Sequence, residues 1–139
     1  MGLTYIEVRC NIGMRCIVPR YKKEKKRRNG WMEEKLKRIY IPMTETGFYI
    51  LFALKEERHG YNIIQYVKEL TGQEIIISAG TMYGSLSKME KDGLIQATKE
   101  ENRRKSYLIT ALGEEILVHE INRIKRLYKN SIGEKIDGD

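Results

Sequence analysis

A mainly α (α+β) fold is predicted, with three short core helices, a small β-hairpin and one long terminal helix. Three observations predict it. Met82, Leu86 and Met89 recur at i, i+4 and i+7 between a capping Ser78 and a closing Gly93. Two strand-like runs, residues 94–98 and 105–109, flank a polar tip over residues 100–104 that contains Asn102, Arg103 and Arg104. Leu117, Ile121, Ile124 and Tyr128 then follow a 4-3-4 spacing on one helical stripe, which Ile116, Leu127 and Ile132 widen.

The remaining elements are punctuated in the same way. Residues 33–40 read as a short polar helical lead-in that Pro42 stops, because the residue before a proline avoids helical geometry. Thr44 or Thr46 can cap a first core helix running to about Glu57. Its Phe48, Ile50, Leu51, Phe52 and Leu54 are so apolar that it must be covered on more than one side. His59 and Gly60 break it, and a second helix over residues 61–70 buries Tyr61, Ile64, Val67 and Ile63 before Gly72 ends it. Residues 75–77 read as a short strand. Thr110 caps the long terminal helix, and Glu114 and Glu115 suit the positive end of its dipole.

Length and charge set the outer limits. A chain of 139 residues suits one compact domain, or a small domain plus one long helix. The longest apolar run, residues 48–54, is far shorter than the roughly 20 residues that cross a bilayer. Glu7, Arg9 and Arg15 interrupt the first twenty residues where a signal peptide needs an apolar centre, so a cytoplasmic protein is expected. Cys10 and Cys16 lack a second pair or a nearby histidine to complete four zinc ligands; two ordinary thiols, and no metal, are expected. The net charge is +7, but the first forty residues hold twelve Lys/Arg against four Asp/Glu and the remainder fourteen against fifteen. The excess lies in the leader, so only local arrangement counts in the rest of the chain.

Within the leader, apolar and polar residues alternate over 6–16 as in a strand, and residues 21–30 (YKKEKKRRNG) form a solvated basic run. One reading makes that run an arm along nucleic-acid phosphates. The other starts translation at Met32 and takes the stretch before it as decoded purine-rich message, which the intact mass of the native protein tests. Residues 1–31 are thus a basic leader, either non-native or disordered, residues 32–110 a folded module and residues 111–136 a helix for self-association.

Three helices followed by a hairpin make a winged helix-turn-helix, here with a long C-terminal dimerisation helix. Opposite its apolar stripe the third helix carries Gly80, Thr81, Gly84, Ser87, Lys88 and Lys91, a small, polar or cationic face suited either to a DNA groove or to plain solvent. Arg103, Arg104 and Lys105 are either an ordinary charged turn or contacts to a phosphate backbone. Enzymatic signatures are missing: His59 and His119 stand apart, and no nucleophile elbow, Gly-rich phosphate loop or metal-spaced cluster occurs. The alternative class is a winged-helix protein–protein interaction module without DNA binding. An RNA-binding winged helix ranks lower, because the third helix lacks an aromatic stacking platform.

Ordered motifs then point to one family. Met43-Thr44-Glu45-Thr46 with Phe48-Tyr49-Ile50-Leu51, His59-Gly60-Tyr61, Ala79-Gly80-Thr81-Met82-Tyr83-Gly84-Ser85-Leu86, Glu90-Lys91-Asp92-Gly93-Leu94-Ile95 and Arg104-Lys105-Ser106-Tyr107 resemble the PadR family of winged-helix transcriptional regulators. Gly84 departs from a proline found in many relatives. The resemblance implies a dimeric repressor that binds a palindromic double-stranded operator, responds to a small-molecule effector and uses no cofactor. It implies that Thr81, Tyr83, Ser85 and Lys88 on the third helix, and Arg103 and Arg104 on the wing, meet DNA; Lys105, the third cation of that turn, is expected to join them on its charge. The stripe of Leu117, Ile121, Ile124 and Tyr128 can cover the first core helix or join two copies. A helix of more than five turns outreaches a small core, so these residues are expected to form a dimer interface, and the resemblance likewise implies dimerisation through this helix. Tyr83 can equally be a core residue with only its hydroxyl exposed. The terminal helix has no tryptophan, leaving Tyr128 and His119 as its rings, so no residue is assigned to an effector.

Overall fold

The computed structural model describes residues 5–9, 15–19 and 30–136. Strands β1 (Tyr5–Arg9) and β2 (Arg15–Pro19) form an antiparallel pair. The strand expected over 6–16 is therefore two strands where it is described, each supplying the backbone partners the other needs. Cys10 and the basic run over residues 21–29 lie outside the described residues.

Helix α1 (Gly30–Tyr40) is more than a polar lead-in, and the expected division after residue 31 falls in its first turn. Leu36 and Tyr40 are buried, the Tyr40 hydroxyl donates to Asp92 Oδ2 at 2.6 Å, and Lys37 Nζ lies 3.1 Å from Glu115 Oε1. Helix α2 (Glu45–Ala53) is capped by Thr44, whose side chain accepts from the Gly47 N–H at 3.1 Å. As its composition demands, α2 is central: Ile50, Leu51 and Ala53 are buried along with Leu54 just after it. It ends four residues before the expected Glu57. The Leu54 carbonyl, which a longer helix would use internally, accepts instead from the Ile109 N–H at 2.8 Å.

Strand β3 (Arg58–His59) leads directly into α3 (Gly60–Leu70). Ile63 and Val67 are buried, but Tyr61 is 61% exposed, contrary to the expected core position. The helix begins one residue earlier than expected, so Gly60, three before Ile63, takes the inward place. A Cβ there would lie 3.0 Å from Tyr83 Cε1 and 3.1 Å from Met82 Cε, so glycine lets α3 and the next helix close together. Residues 75–77 are not a strand. The Ile75 N–H is taken by the Thr71 hydroxyl at 3.1 Å, and β3 occupies the third place in the sheet.

Helix α4 (Ala79–Lys91) buries Met82, Leu86 and Met89 as expected, and Gly93 closes it at φ +80° with the Leu94 N–H returning to the Met89 carbonyl at 2.9 Å. Strands β4 (Ile95–Glu101) and β5 (Arg104–Ile109) form the wing, and the antiparallel sheet order is β3-β5-β4. Helix α5 (Ala111–Ser131) is capped by Thr110. Leu112, Gly113, Ile116, Leu117 and Glu120 are buried, and no residue of α5 beyond Glu120 is. Glu120 keeps its carboxylate satisfied through Arg123, which donates at 2.9 and 2.6 Å and is held above the usual guanidinium range by that pairing. The five helices and three-stranded wing sheet give the mainly α winged-helix architecture.

Candidate nucleic-acid interface

The stripe that buries α4 also decides what the helix shows outside. With Met82, Leu86 and Met89 turned inward, Gly80, Thr81, Gly84, Ser87, Lys88 and Lys91 are all exposed. A Cβ added at Gly80 or Gly84 would meet nothing within 4 Å. Internal packing therefore does not require these glycines, and their effect is to leave the outer backbone of α4 approachable. At the helix start, Ser78 Oγ accepts from the Thr81 N–H at 3.2 Å and its hydroxyl lies 2.9 Å from Thr81 Oγ1, which orders both side chains at the positive end of the dipole.

The other expected residues of α4 differ in availability. Tyr83 is 52% exposed, with its ring edge against Gly60, so it is a surface residue braced on α3. Ser85 is only half exposed. Lys88 is exposed, but its Nζ lies 5.3 Å from the centroid of the Tyr40 ring, which ties this cation to α1. Burial, and then the bond to Asp92, raise the Tyr40 phenol far above its usual range, so the hydroxyl stays a donor well into alkaline pH.

The wing tip is smaller than the sequence suggests. Glu101 pairs with Arg104, leaving a turn of Asn102 and Arg103, both left-handed at φ 52° and 64°. Two positive φ values in a row are what a tight hairpin following the strand twist needs. The tip expected over residues 100–104 thus contracts, and the three cations separate. Arg103 stands at the apex, while Arg104 and Lys105, as successive strand residues, alternate between faces of β5. Opposite them in β4 are Glu101 and Glu100, so a carboxylate faces each across the ladder and Arg103 is the cation without an opposite acid. Asn102 was the legible signal for this turn, since asparagine tolerates the left-handed region. The pairing Glu101↔Arg104 was not legible.

The expected interface residues of α5 also divide. Leu117 is buried in the protomer's own core, which leaves it no free surface, and Ile121 packs partly against that core. Ile124 and Tyr128 are exposed at 40% and 65%, as are Val118, Leu127 and Ile132. Elsewhere, His59 Nδ1 lies 2.9 Å from Ser106 Oγ and His119 Nε2 3.9 Å from Glu115 Oε1. Among the described residues no group of His, Cys, Asp or Glu could hold a metal ion, and no helix is long and apolar enough to cross a membrane.

Comparison with known proteins agrees with the fold. A PadR-like transcriptional regulator from Bacillus cereus is 26% identical, with a TM-score of 0.51 over 65% of this chain and 93% of that one. A transcriptional regulator from Clostridium thermocellum is 24% identical, with a TM-score of 0.54 over 70% and 91%. An uncharacterized protein of Lysinibacillus sphaericus is 32% identical over 68 residues. A second, from a transposon of Streptomyces fradiae, is 29% identical over 69 residues. The chain spans 62% and 19% of the lengths of these two curated relatives, and the aligned segments cover 46% and 50% of this chain. The sequence profile of the transcriptional regulator PadR-like family matches residues 50–119, which run from α2 through the wing into α5. With half of its length matched, this chain belongs to the PadR-like family, a family of transcriptional regulators and not of enzymes.

Proposed function

We propose that the protein is a cytoplasmic, homodimeric repressor that binds a palindromic double-stranded DNA operator and is released by a small-molecule effector. The observation that carries this reading is the outer face of α4, where two glycines without neighbours, short hydroxyl side chains and two lysines replace the Glu/Lys pairs of an ordinary solvated helix. Such a face admits close approach to a groove and supplies donors to base edges and phosphates.

In this reading residues 32–110 form the DNA-binding module, in which Thr81, Tyr83, Ser85 and Lys88 contact the groove and its rim. Arg103 reaches the adjacent backbone, and Arg104 and Lys105 contribute less because each faces a carboxylate across the ladder. Residues 111–136 carry the dimer seam. At about 1.5 Å per residue, α5 extends roughly 30 Å, and its exposed Ile124, Leu127, Tyr128 and Ile132 suit a second copy. A two-fold dimer places two recognition helices about one DNA turn apart.

Fluorescence anisotropy with a duplex from the gene's own promoter tests the reading. Log affinity should fall with log salt at a slope of about −0.9 per phosphate contacted. Arg103→Ala should weaken binding to all sequences alike and reduce that slope by about one unit. Absence of binding at low ionic strength overturns the proposal.

A further inference from the structure

Strand β4 meets the segment before β3 at an irregularity of the wing. Strand β4 holds an extra residue, because Ala97 pairs with Tyr107 and Lys99 with Ser106, leaving Thr98 inserted between them. In a regular strand residues 98 and 99 would face opposite sides; a bulge bends the strand and re-aims its side chains. Here both turn to the same carboxylate. The Thr98 hydroxyl donates to Glu57 Oε1, and Lys99 Nζ lies 3.4 Å from Glu57 Oε2. The Thr98 hydrogen bond, with Lys99 adding to it, holds the Glu57 carboxyl below its ordinary range.

Glu57 immediately precedes β3, so the carboxylate is itself anchored. Arg58 pairs with Tyr107 and His59 with Ser106 in the sheet. The Arg58 guanidinium lies 4.2 Å from the centroid of the Tyr66 ring on α3, and its Nη1 donates to Glu56 at 2.9 Å. Beyond Lys99, every residue to Lys105 is exposed. The direction of the outer ribbon is therefore set at the bulge. Exposed ion pairs of this kind contribute only about 0–1 kcal/mol to stability, so the contact's consequence is geometric.

We propose that Glu57 is a positioning residue for the wing: by holding Thr98 and Lys99 together across the bulge, it fixes the direction in which the ribbon carries Arg103 toward a DNA backbone. This rests on the DNA-binding reading above. It also assigns Lys99 to Glu57 and not to DNA.

Full-length protein carrying Thr98→Val, Thr98→Ser, Glu57→Ala or Glu57→Gln tests it, each alone and together with Arg103→Ala. Thr98→Val keeps shape and charge while removing the donor. Glu57→Ala and Glu57→Gln remove the same charge, which by itself favours binding to a polyanion, and differ in whether Thr98 keeps an acceptor. Without DNA, hydrogen exchange of β4 and β5 amides beyond Lys99 should quicken in Thr98→Val and Glu57→Ala, while the helices and the melting temperature stay as they are. Unchanged wing exchange overturns the proposal whether or not DNA is bound. With promoter duplex, Thr98→Val should bind about three- to tenfold more weakly than the parent. Glu57→Ala should bind more weakly than Glu57→Gln, and Thr98→Ser should restore parental affinity. In the Arg103→Ala background these differences should vanish; their full persistence there shows that Glu57 does not act through the wing. A parent that binds no duplex refutes the repressor reading instead, and the exchange result still decides the role of Glu57.

Discussion

Gly113 has no room for a side chain, since a Cβ there would lie 2.0 Å from the Leu94 carbonyl oxygen and 2.9 Å from Ile109 Cγ1. Around it Thr110 does three jobs. Its hydroxyl accepts from the Gly113 N–H at 3.2 Å and donates to the Gly93 carbonyl at 2.6 Å, and its own N–H reaches the Leu94 carbonyl at 2.9 Å. The nearest obstructing atom, the Leu94 carbonyl oxygen, is backbone and cannot swing aside, so Gly113→Ala should cost about 3 kcal/mol, measured by chemical denaturation. A loss under about 1 kcal/mol would mean that the start of α5 parts from β4 freely. The caps at Ser78 and Thr110 were legible because a capping side chain satisfies donors within its own next turn. The packing of Gly113 and Gly60 was not, since their obstacles arrive from elements distant in sequence. Tyr61 was misplaced for the related reason that the inward place at the start of α3 is taken by Gly60 against Tyr83 and Met82, a contact with a later element.

At the scale of elements, the wing sets a geometric demand against a chemical one. Arg103 sits at φ 64°, a region that costs a residue with a Cβ about 1 kcal/mol or more, whereas glycine enters it freely. Arg103→Gly should therefore raise stability by about 1 kcal/mol in thermal unfolding while weakening promoter binding. Improved stability with unaltered affinity would show that the tip cation does not touch DNA. The existence of the hairpin was readable from β-prone runs on either side of a polar turn, but its register was not, because turn length and the bulge at Thr98 depend on pairing. Pairing also explains the wrong strand. An isoleucine run at 75–77 has high β propensity, yet the vacant edge of β5 was taken by Arg58 and His59, which the chain delivers there from the end of α2.

In the whole molecule, α5 serves two environments in succession. Its first half completes the core beneath α1 and α2, and its second half runs past that core with apolar side chains in solvent. A 4-3-4 spacing is the same for a stripe covered by its own chain and one covered by a second copy, which is why Leu117 and Tyr128 could not be told apart in the sequence. Ile124→Glu with Tyr128→Glu should yield monomers by sedimentation velocity with the helical circular dichroism retained, since neither side chain supports the protomer core. An unchanged sedimentation coefficient would remove the proposed seam. Gly80 and Gly84 carry a different implication. Because a Cβ at either place collides with nothing in the protomer, substitution by alanine can alter the contour of that helix while the protomer folds as before. Lineages descended from this chain could thereby acquire new target sites by drift at two codons, without first passing through unstable intermediates.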